Sequence, residues 1–314
     1  MISFLVRRFG YFLLTLWLAS IMIFAATSLL PGDVAGVILG REATPEAREN
    51  LRRELGLDQP FVTQYANWLS RFIQGDWGLS YNLRTPIEPL VMQRLGNSLR
   101  LASIAVLIAV LPAILLGVLA GLRENRPFDA IFSVGSLILV GLPEFVTGII
   151  LINVVALQWR LLPASSAVSP DASFAEALPS LILPSITAAT VLLAYIGRLT
   201  RIGVISELKK PYVRTATLKG LPYRQIIFKH VLRNALLPTV TVIAISLGWL
   251  ISGLVVIENV FSYPGLGRLM VYAIDNRDLP LIQAGAMISV AVFALANFLA
   301  DLVYSLLNPR IRLQ

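Results

Sequence analysis

Six long apolar stretches, 56% hydrophobic against 14% charged residues, and lysines confined to one short segment predict an all-α integral membrane protein with six transmembrane helices. A soluble domain carries about 25% charged residues. A chain of 314 residues with mean hydropathy +0.75 has more apolar surface than a water-facing globule of its size can hide. There is no cysteine and one histidine, His230, which excludes disulfides, thiolate sites, cysteine nucleophiles and multi-histidine metal centres. The net charge of +8 does not point to nucleic acid: Lys209, Lys210, Lys219 and Lys229 sit together between two apolar runs, the pattern of one cytoplasmic loop.

Residues 1–30 hold Arg7-Arg8 and then an apolar run from Phe9 to Leu30. That run is longer than the apolar core of a secretory signal, about 7–15 residues, and reads as an uncleaved first span with its N-terminus in the cytoplasm. Residues 31–96, with 7 arginines and 8 acids, are too polar to span and form an external segment. Within it Glu46 to Leu57 has helical spacing, Leu51 and Leu55 sharing a face. Residues 97–308 make a five-helix core with spans at 99–121, 130–157, 179–199, 235–257 and 281–306. The connector Leu122–Asp129 and the segment 200–234, rich in Lys and Arg, are cytoplasmic; 158–178 and 258–280 are external; the tail 309–314 returns to the cytoplasm. Pro112, Gly117, Gly141, Pro143, Pro184, Gly248 and Gly253 fall inside spans. Such breaks are tolerated where they line a cavity or pack against neighbours, which favours a translocator over a plain anchor.

The segment Pro211-Tyr-Val-Arg-Thr-Ala-Thr-Leu-Lys-Gly220-Leu-Pro222 is the sharpest local signal. Pro211 suits the first helical turn, Gly220 a left-handed C′ position, and Pro222 the start of a second helix towards Asn234. The intervening helix has about two turns, with Val213, Ala216 and Gly220 on one face. Two of these are small, so the face is expected to admit a partner's backbone, with Arg214 and Lys219 as charged handles.

This segment, with Leu232-Arg-Asn-Ala-Leu-Leu-Pro238 after it, resembles the coupling loop of ABC importer permeases, closest to the B-type subunits of the dipeptide/oligopeptide/nickel group. Leu30-Pro-Gly-Asp33, Leu55-Gly-Leu-Asp-Gln-Pro60, Gly75-Asp-Trp-Gly-Leu-Ser80, Arg198-Leu-Thr-Arg201, Glu258-Asn-Val-Phe-Ser-Tyr-Pro-Gly-Leu-Gly-Arg268, Arg277-Asp-Leu-Pro-Leu-Ile-Gln283 and Asn308-Pro-Arg-Ile-Arg312 extend the likeness over the whole chain in order. The resemblance implies a type I ABC importer permease fold in a bacterial inner membrane, with both termini cytoplasmic. It implies a second homologous permease that completes the pathway, one or two cytoplasmic ATPase subunits, and an external solute-binding protein. Substrates would be di- or oligopeptides, with nickel chelates, glutathione or oligosaccharides as alternatives. Tyr212, Arg214, Thr215, Ala216, Lys219 and Gly220 would couple to the ATPase. The general permease motif begins Glu-Ala-Ala; here Arg214, Thr215 and Ala216 stand in those places, so only the alanine and Gly220 match. The chain has no G-x-x-x-x-G-K-[ST] phosphate loop, so if it is ATP-driven the ATPase is another chain; the resemblance implies ATP and magnesium on those partners and no cofactor on this chain.

Ionisable groups in spans are candidate functional groups. Glu144, after Pro143, is read either as a helix cap or as a pathway carboxylate that selects amine-bearing solutes. Glu258 and Arg268 flank the Tyr263-Pro-Gly-Leu-Gly turn and are read as an outer gate or an ion pair. Asp301 is expected to pair with Arg310 or another cytoplasmic arginine, and Asn297 to hold helices together. A stand-alone secondary transporter would predict paired midplane acids and an internal repeat, and an intramembrane enzyme would need a nucleophile and base within the spans. Neither pattern is present.

Overall fold

The computed structural model describes residues 2–29, 44–54, 56, 58–167 and 173–307, and every regular element among them is helical. In chain order these are α1 (Ile2–Leu29), α2 (Pro45–Glu54), α3 (Phe61–Ile73), α4 (Ile87–Leu122), α5 (Pro127–Gly141), α6 (Glu144–Gln158), α7 (Phe174–Leu208), α8 (Pro211–Leu218), α9 (Tyr223–Ala235), α10 (Leu237–Val260), α11 (Leu266–Asp275) and α12 (Leu279–Leu307). Helix α2 falls where helical spacing put it; Leu55 and Leu57 lie outside the described residues, as do Leu30-Pro-Gly-Asp33 and Arg310. Among the described residues four helices are long and apolar enough to cross a membrane, and two bent pairs bring the number to as many as six.

The expected span 130–157 is not one helix. Leu142 precedes a proline and adopts the extended conformation such residues favour, so α5 stops at Gly141 and α6 restarts after Pro143 at a bend of 102°. The far part of α6, Ile152–Gln158, is a π-helix, as is Ile226–Val231 within α9. The expected span 99–121 is the inner part of a much longer helix. α4 starts at Ile87, and its 36 residues extend for about 54 Å, well beyond a hydrocarbon core of about 30 Å. The span expected at 179–199 likewise extends to Phe174–Leu208, opened by a capping box in which the Glu176 carboxylate accepts from the Ser173 N–H at 2.8 Å.

Helices α4 and α7 form the centre of the bundle. Ala105, Ala109, Ala113, Gly117 and Gly121 repeat every fourth residue on α4 and are all buried. The stripe lets the backbones approach closely: a Cβ on Gly117 would overlap the Gly197 carbonyl of α7, and one on Gly121 would meet Val204 at 2.7 Å. Outside this centre, α1 and α12 run antiparallel and are pinned at both ends. Arg8 pairs with Asp301 at 2.7 Å, and Gln283 donates to Thr27 at 2.8 Å. The expected arginine partner of Asp301 is thus Arg8. Arg8 and Thr27 lie 19 residues apart (27 − 8) and Gln283 and Asp301 lie 18 apart (301 − 283), about 28 and 27 Å at 1.5 Å per residue. The paired helices therefore carry polar marks separated by close to one hydrocarbon thickness, about 30 Å. Asn297 makes no hydrogen bond to another helix among the described residues; it donates to the Phe293 carbonyl of its own helix at 3.0 Å.

Candidate functional site: the loop helix and its anchors

α8 forms where Pro211 occupies its first turn, and it ends as the sequence requires. Gly220 has φ +72°, its N–H donates to Thr217 at 3.0 Å, and the Leu221 N–H reaches back to Ala216 at 3.3 Å. Those two bonds define a Schellman motif, with Gly220 at C′. No other atoms crowd Gly220, so the constraint there is conformational.

One face of α8 is closed. Val213 and Ala216 pack with Val204 of α7 and with Ile226, Ile227, Val231 and Ala235 of α9. The expectation that Val213 and Ala216 admit a partner is therefore corrected: their own bundle fills that space. α9 buries Ile226, Ile227, Val231 and Ala235 and exposes Arg224, Lys229, Arg233 and Asn234, and the small face of α8 supplies part of its apolar floor. What α8 presents outwards is Arg214, Thr215, Leu218, Lys219 and Gly220, with Leu218 80% exposed. Tyr223 and Phe228 of α9 are exposed at the same end.

α8 is also tied to the end of α7 by Glu207. This nearly buried carboxylate accepts from the Tyr212 hydroxyl at 2.6 Å and from the Lys210 ammonium. Asn234 of α9 donates to the same hydroxyl at 3.4 Å, so Tyr212 joins α7, α8 and α9. Burial, then the hydrogen bond to Glu207, push the Tyr212 hydroxyl above its usual range; the bond to Glu207 raises Lys210 likewise. His230 contributes its backbone carbonyl to the same hydroxyl at 3.5 Å. A little deeper, Asp129 at the start of α5 binds Arg201 of α7 through both carboxylate oxygens and accepts the Asn125 N–H at 3.0 Å. Lys209 pairs with Glu124 at 2.7 Å. The arginine of the Arg198-Leu-Thr-Arg201 segment thus fastens the α4–α5 corner to α7, a role that spacing alone does not disclose.

At the opposite end the Tyr263–Leu266 turn is clasped by α4. Tyr263 donates its hydroxyl to the Asn97 carbonyl at 2.9 Å, Asn97 donates to the Pro264 carbonyl at 2.8 Å, and the Leu266 N–H donates to Ser98 at 2.8 Å. Glu258 is fully buried; it accepts from Ser98 at 2.5 Å and from the Arg268 backbone N–H at 3.0 Å. The ion pair read between Glu258 and Arg268 does not form. The Arg268 guanidinium turns to the Ser262 carbonyl at 2.5 Å, and Glu258 instead satisfies the open N–H groups at the start of α11. A second clasp is Asp278, which accepts from Ser80 at 2.5 Å and from the Asn82 N–H at 3.2 Å. Glu144 is different. It opens α6 at the bend, half-buried, with its carboxylate 3.7 Å from where a Cβ on Gly253 of α10 would lie. It lies in the first turn of α6, where a carboxylate is favoured by the helix dipole, and its side chain has no hydrogen-bonding or ionic partner among the described residues. No cluster of metal-ligating side chains exists among the described residues.

A helical membrane bundle with a short, capped helix held at one end against a long helix and the short helix that follows it has the form of a transporter permease. The chain belongs to the family of binding-protein-dependent transport system inner membrane components, whose model matches residues 113–313; the model of that family's N-terminal part matches residues 1–102. It is 38% identical to a probable peptide ABC transporter permease protein of Sinorhizobium fredii over 98% of this chain and 99% of that protein. It is 35% identical to the dipeptide transport system permease protein of Escherichia coli K12 and 34% identical to the glutathione transport system permease protein of the same strain, over 99% of each chain. Among solved structures, that of an amino acid ABC transporter with histidines matches 69% of this chain and 93% of its own, with 17% identity and a TM-score of 0.54, which places the two in one fold. The protein is a multi-pass inner-membrane permease subunit of an ABC importer, a transport subunit that works with an ATPase and a substrate-binding protein.

Proposed function

We propose that this chain forms half of a translocation pathway for di- or oligopeptides, with a second, homologous permease as the other half. The relatives named for peptide, dipeptide and glutathione transport support that substrate class, glutathione being itself a short peptide. Both termini and α8 lie in the cytoplasm, by the concentration of Lys and Arg around α8 and at Arg7-Arg8. Residues 31–96 face outwards and meet the solute-binding protein. One or two kinds of ATPase subunit, carrying ATP and magnesium, dock on the open face of α8.

The observation that carries this reading is the two-sidedness of α8. Its inner face is packed onto α7 and α9, while its outer face is uncovered. A force on the outer face is therefore transmitted to α7 and, through Asp129–Arg201, to the α4–α5 corner, rather than absorbed by a loop. ATP binding and hydrolysis then bias the bundle between two states through contacts that differ between them. Glu144 faces the pathway and receives the terminal ammonium of a peptide.

The test is Gly220→Val in the complete transporter in proteoliposomes. A β-branched residue at φ +72° opens the Schellman turn. Hydrolysis should proceed while dipeptide uptake falls; uptake at the wild-type rate would refute docking at α8. Glu144→Gln should raise the KM for peptides with a free N-terminus and leave N-acetylated peptides unchanged.

A further inference from the structure

The external segment holds one helix whose chemistry does not suit an aqueous surface. α3 carries Phe61, Val62, Tyr65, Trp68, Leu69, Phe72 and Ile73 along one side and Thr63, Gln64, Asn67, Ser70 and Arg71 along the other. At 3.6 residues per turn these form two clean halves. Arg71 is its one charged residue, and none of its residues is buried.

The apolar half divides again. Its aromatic part is used: Phe24 of α1 meets Phe61 at 5.3 Å, Tyr65 at 5.6 Å and Trp68 at 5.5 Å, and the Tyr65 hydroxyl lies 2.8 Å from the Ser20 hydroxyl. Its aliphatic part is not: Val62 is 73% and Ile73 76% exposed.

The polar marks on α1 and α12 fix how deep this lies. Thr27 and Gln283 mark one boundary, Arg8 and Asp301 the other. Ser20 is 7 residues inside the Thr27 mark (27 − 20), about 10 Å along the helix, and Phe24 is 3 residues inside it (27 − 24), about 5 Å. A helix tied to α1 at Ser20 and Phe24 cannot stand above the membrane in water. Amphipathic helices seated at an acyl–headgroup boundary bury their apolar face about 5–10 Å deep, which is the depth these two contacts define.

We infer that α3 lies in the outer leaflet as an interfacial helix, its Val62–Leu69–Ile73 edge against lipid acyl chains and its Thr63–Asn67–Arg71 side at the headgroups. The inference rests on the reading that the Arg8 end is cytoplasmic. The depth at which Ser20 and Phe24 hold α3 commits this edge to lipid rather than to the solute-binding protein. In that position α3 sets the height at which the polar segment after it, Gln74–Pro86, meets an incoming delivery protein.

The chain has no cysteine, so single-cysteine variants are directly available. Val62→Cys, Ile73→Cys and, on the polar side, Asn67→Cys are labelled with an environment-sensitive fluorophore in the complete transporter in proteoliposomes. The labels at 62 and 73 should be blue-shifted, quenched by shallow brominated lipid and shielded from aqueous iodide; the label at 67 should show the reverse. Iodide quenching at 62 and 73 without lipid quenching would overturn the inference, and so would shielding from both quenchers, which would mean a protein partner covers the edge. Reaction of Asn67→Cys with an impermeant maleimide from outside intact cells tests the orientation separately, so an inverted topology is distinguishable from a helix that is not at the membrane.

Discussion

Leu218 is the residue on which the coupling reading is most exposed to refutation. Its side chain is 80% exposed at the outer face of α8, so in the free subunit it contributes little, and truncating it should leave stability within about 0.5 kcal/mol. If the ATPase encloses it, full burial of a leucine side chain is worth about 1.5–3 kcal/mol. Leu218→Ala should then weaken ATPase docking by about 2 kcal/mol, roughly thirty-fold, since 1.4 kcal/mol is tenfold. Val213→Ala is the contrast. Val213 is closed in by Val204, Ile226 and Val231, so its truncation should lower the melting temperature of the isolated subunit without first affecting docking. Two assays separate these outcomes: thermal unfolding of the purified subunit in detergent, and titration of ATPase subunits onto it in nanodiscs. Unchanged ATPase affinity in Leu218→Ala would show that the outer face of α8 is not the docking surface, whatever becomes of Val213→Ala.

Three further outcomes are expected. Gly265→Ala places a Cβ into the buried Glu258 carboxylate, so it should abolish the folded subunit rather than merely slow transport, read as loss of monodisperse protein on detergent extraction. Asp129→Asn leaves the Arg201 guanidinium without its counter-charge at a largely buried site and should cost about 3 kcal/mol, the low end for a broken buried pair because Arg201 retains some solvent; Asp129→Leu with Arg201→Leu should recover most of it. Tyr212 and Lys210 both have raised pKa values, so the stability they give the α7–α8 junction is fully present below their ordinary values near 10 and is lost as pH rises through the folded-state values. Protease sensitivity of the 209–221 segment should therefore increase only at alkaline pH, and Tyr212→Phe should make it sensitive already at neutral pH.

The bundle was legible in the sequence because lipid imposes a simple rule: a run of about 20 apolar residues must be a helix, and short basic loops stay inside. The limits of that rule are visible in α4 and α7. Their ends beyond the apolar run are polar enough to look like loop, and they are helical because α11, the Tyr263 turn and α8 pack against them, which hydropathy does not record. The same reasoning explains α8. Its boundaries follow from Pro211 and Gly220, which act on the backbone locally, and both were readable. Which face turns inwards depends on whether α9 or a partner supplies the apolar floor. A two-turn helix with Val213 and Ala216 on one side and Leu218 on another is consistent with either.

The carboxylates make the point most sharply. Sequence reading treats each acid in an apolar context as a candidate for function, yet Asp129, Glu258 and Asp278 are each buried and each spent on structure. All three lie at the start of a helix or accept from one: Asp129 in the first turn of α5, Glu258 at the N–H groups opening α11, Asp278 just before α12. A helix start in a membrane protein leaves N–H groups that water cannot satisfy, and a carboxylate is the most effective acceptor for them. Glu144 also opens a helix, but the chain supplies its side chain with neither a donor nor a cation among the described residues, and it sits at the sharpest bend opposite a glycine. A half-buried acid that is not spent on its own fold needs a partner from elsewhere. That distinction could not be drawn from composition or spacing: Glu144 differs from those three acids in having no hydrogen-bonding or ionic partner among the described residues, which is why it is the carboxylate proposed to meet a solute.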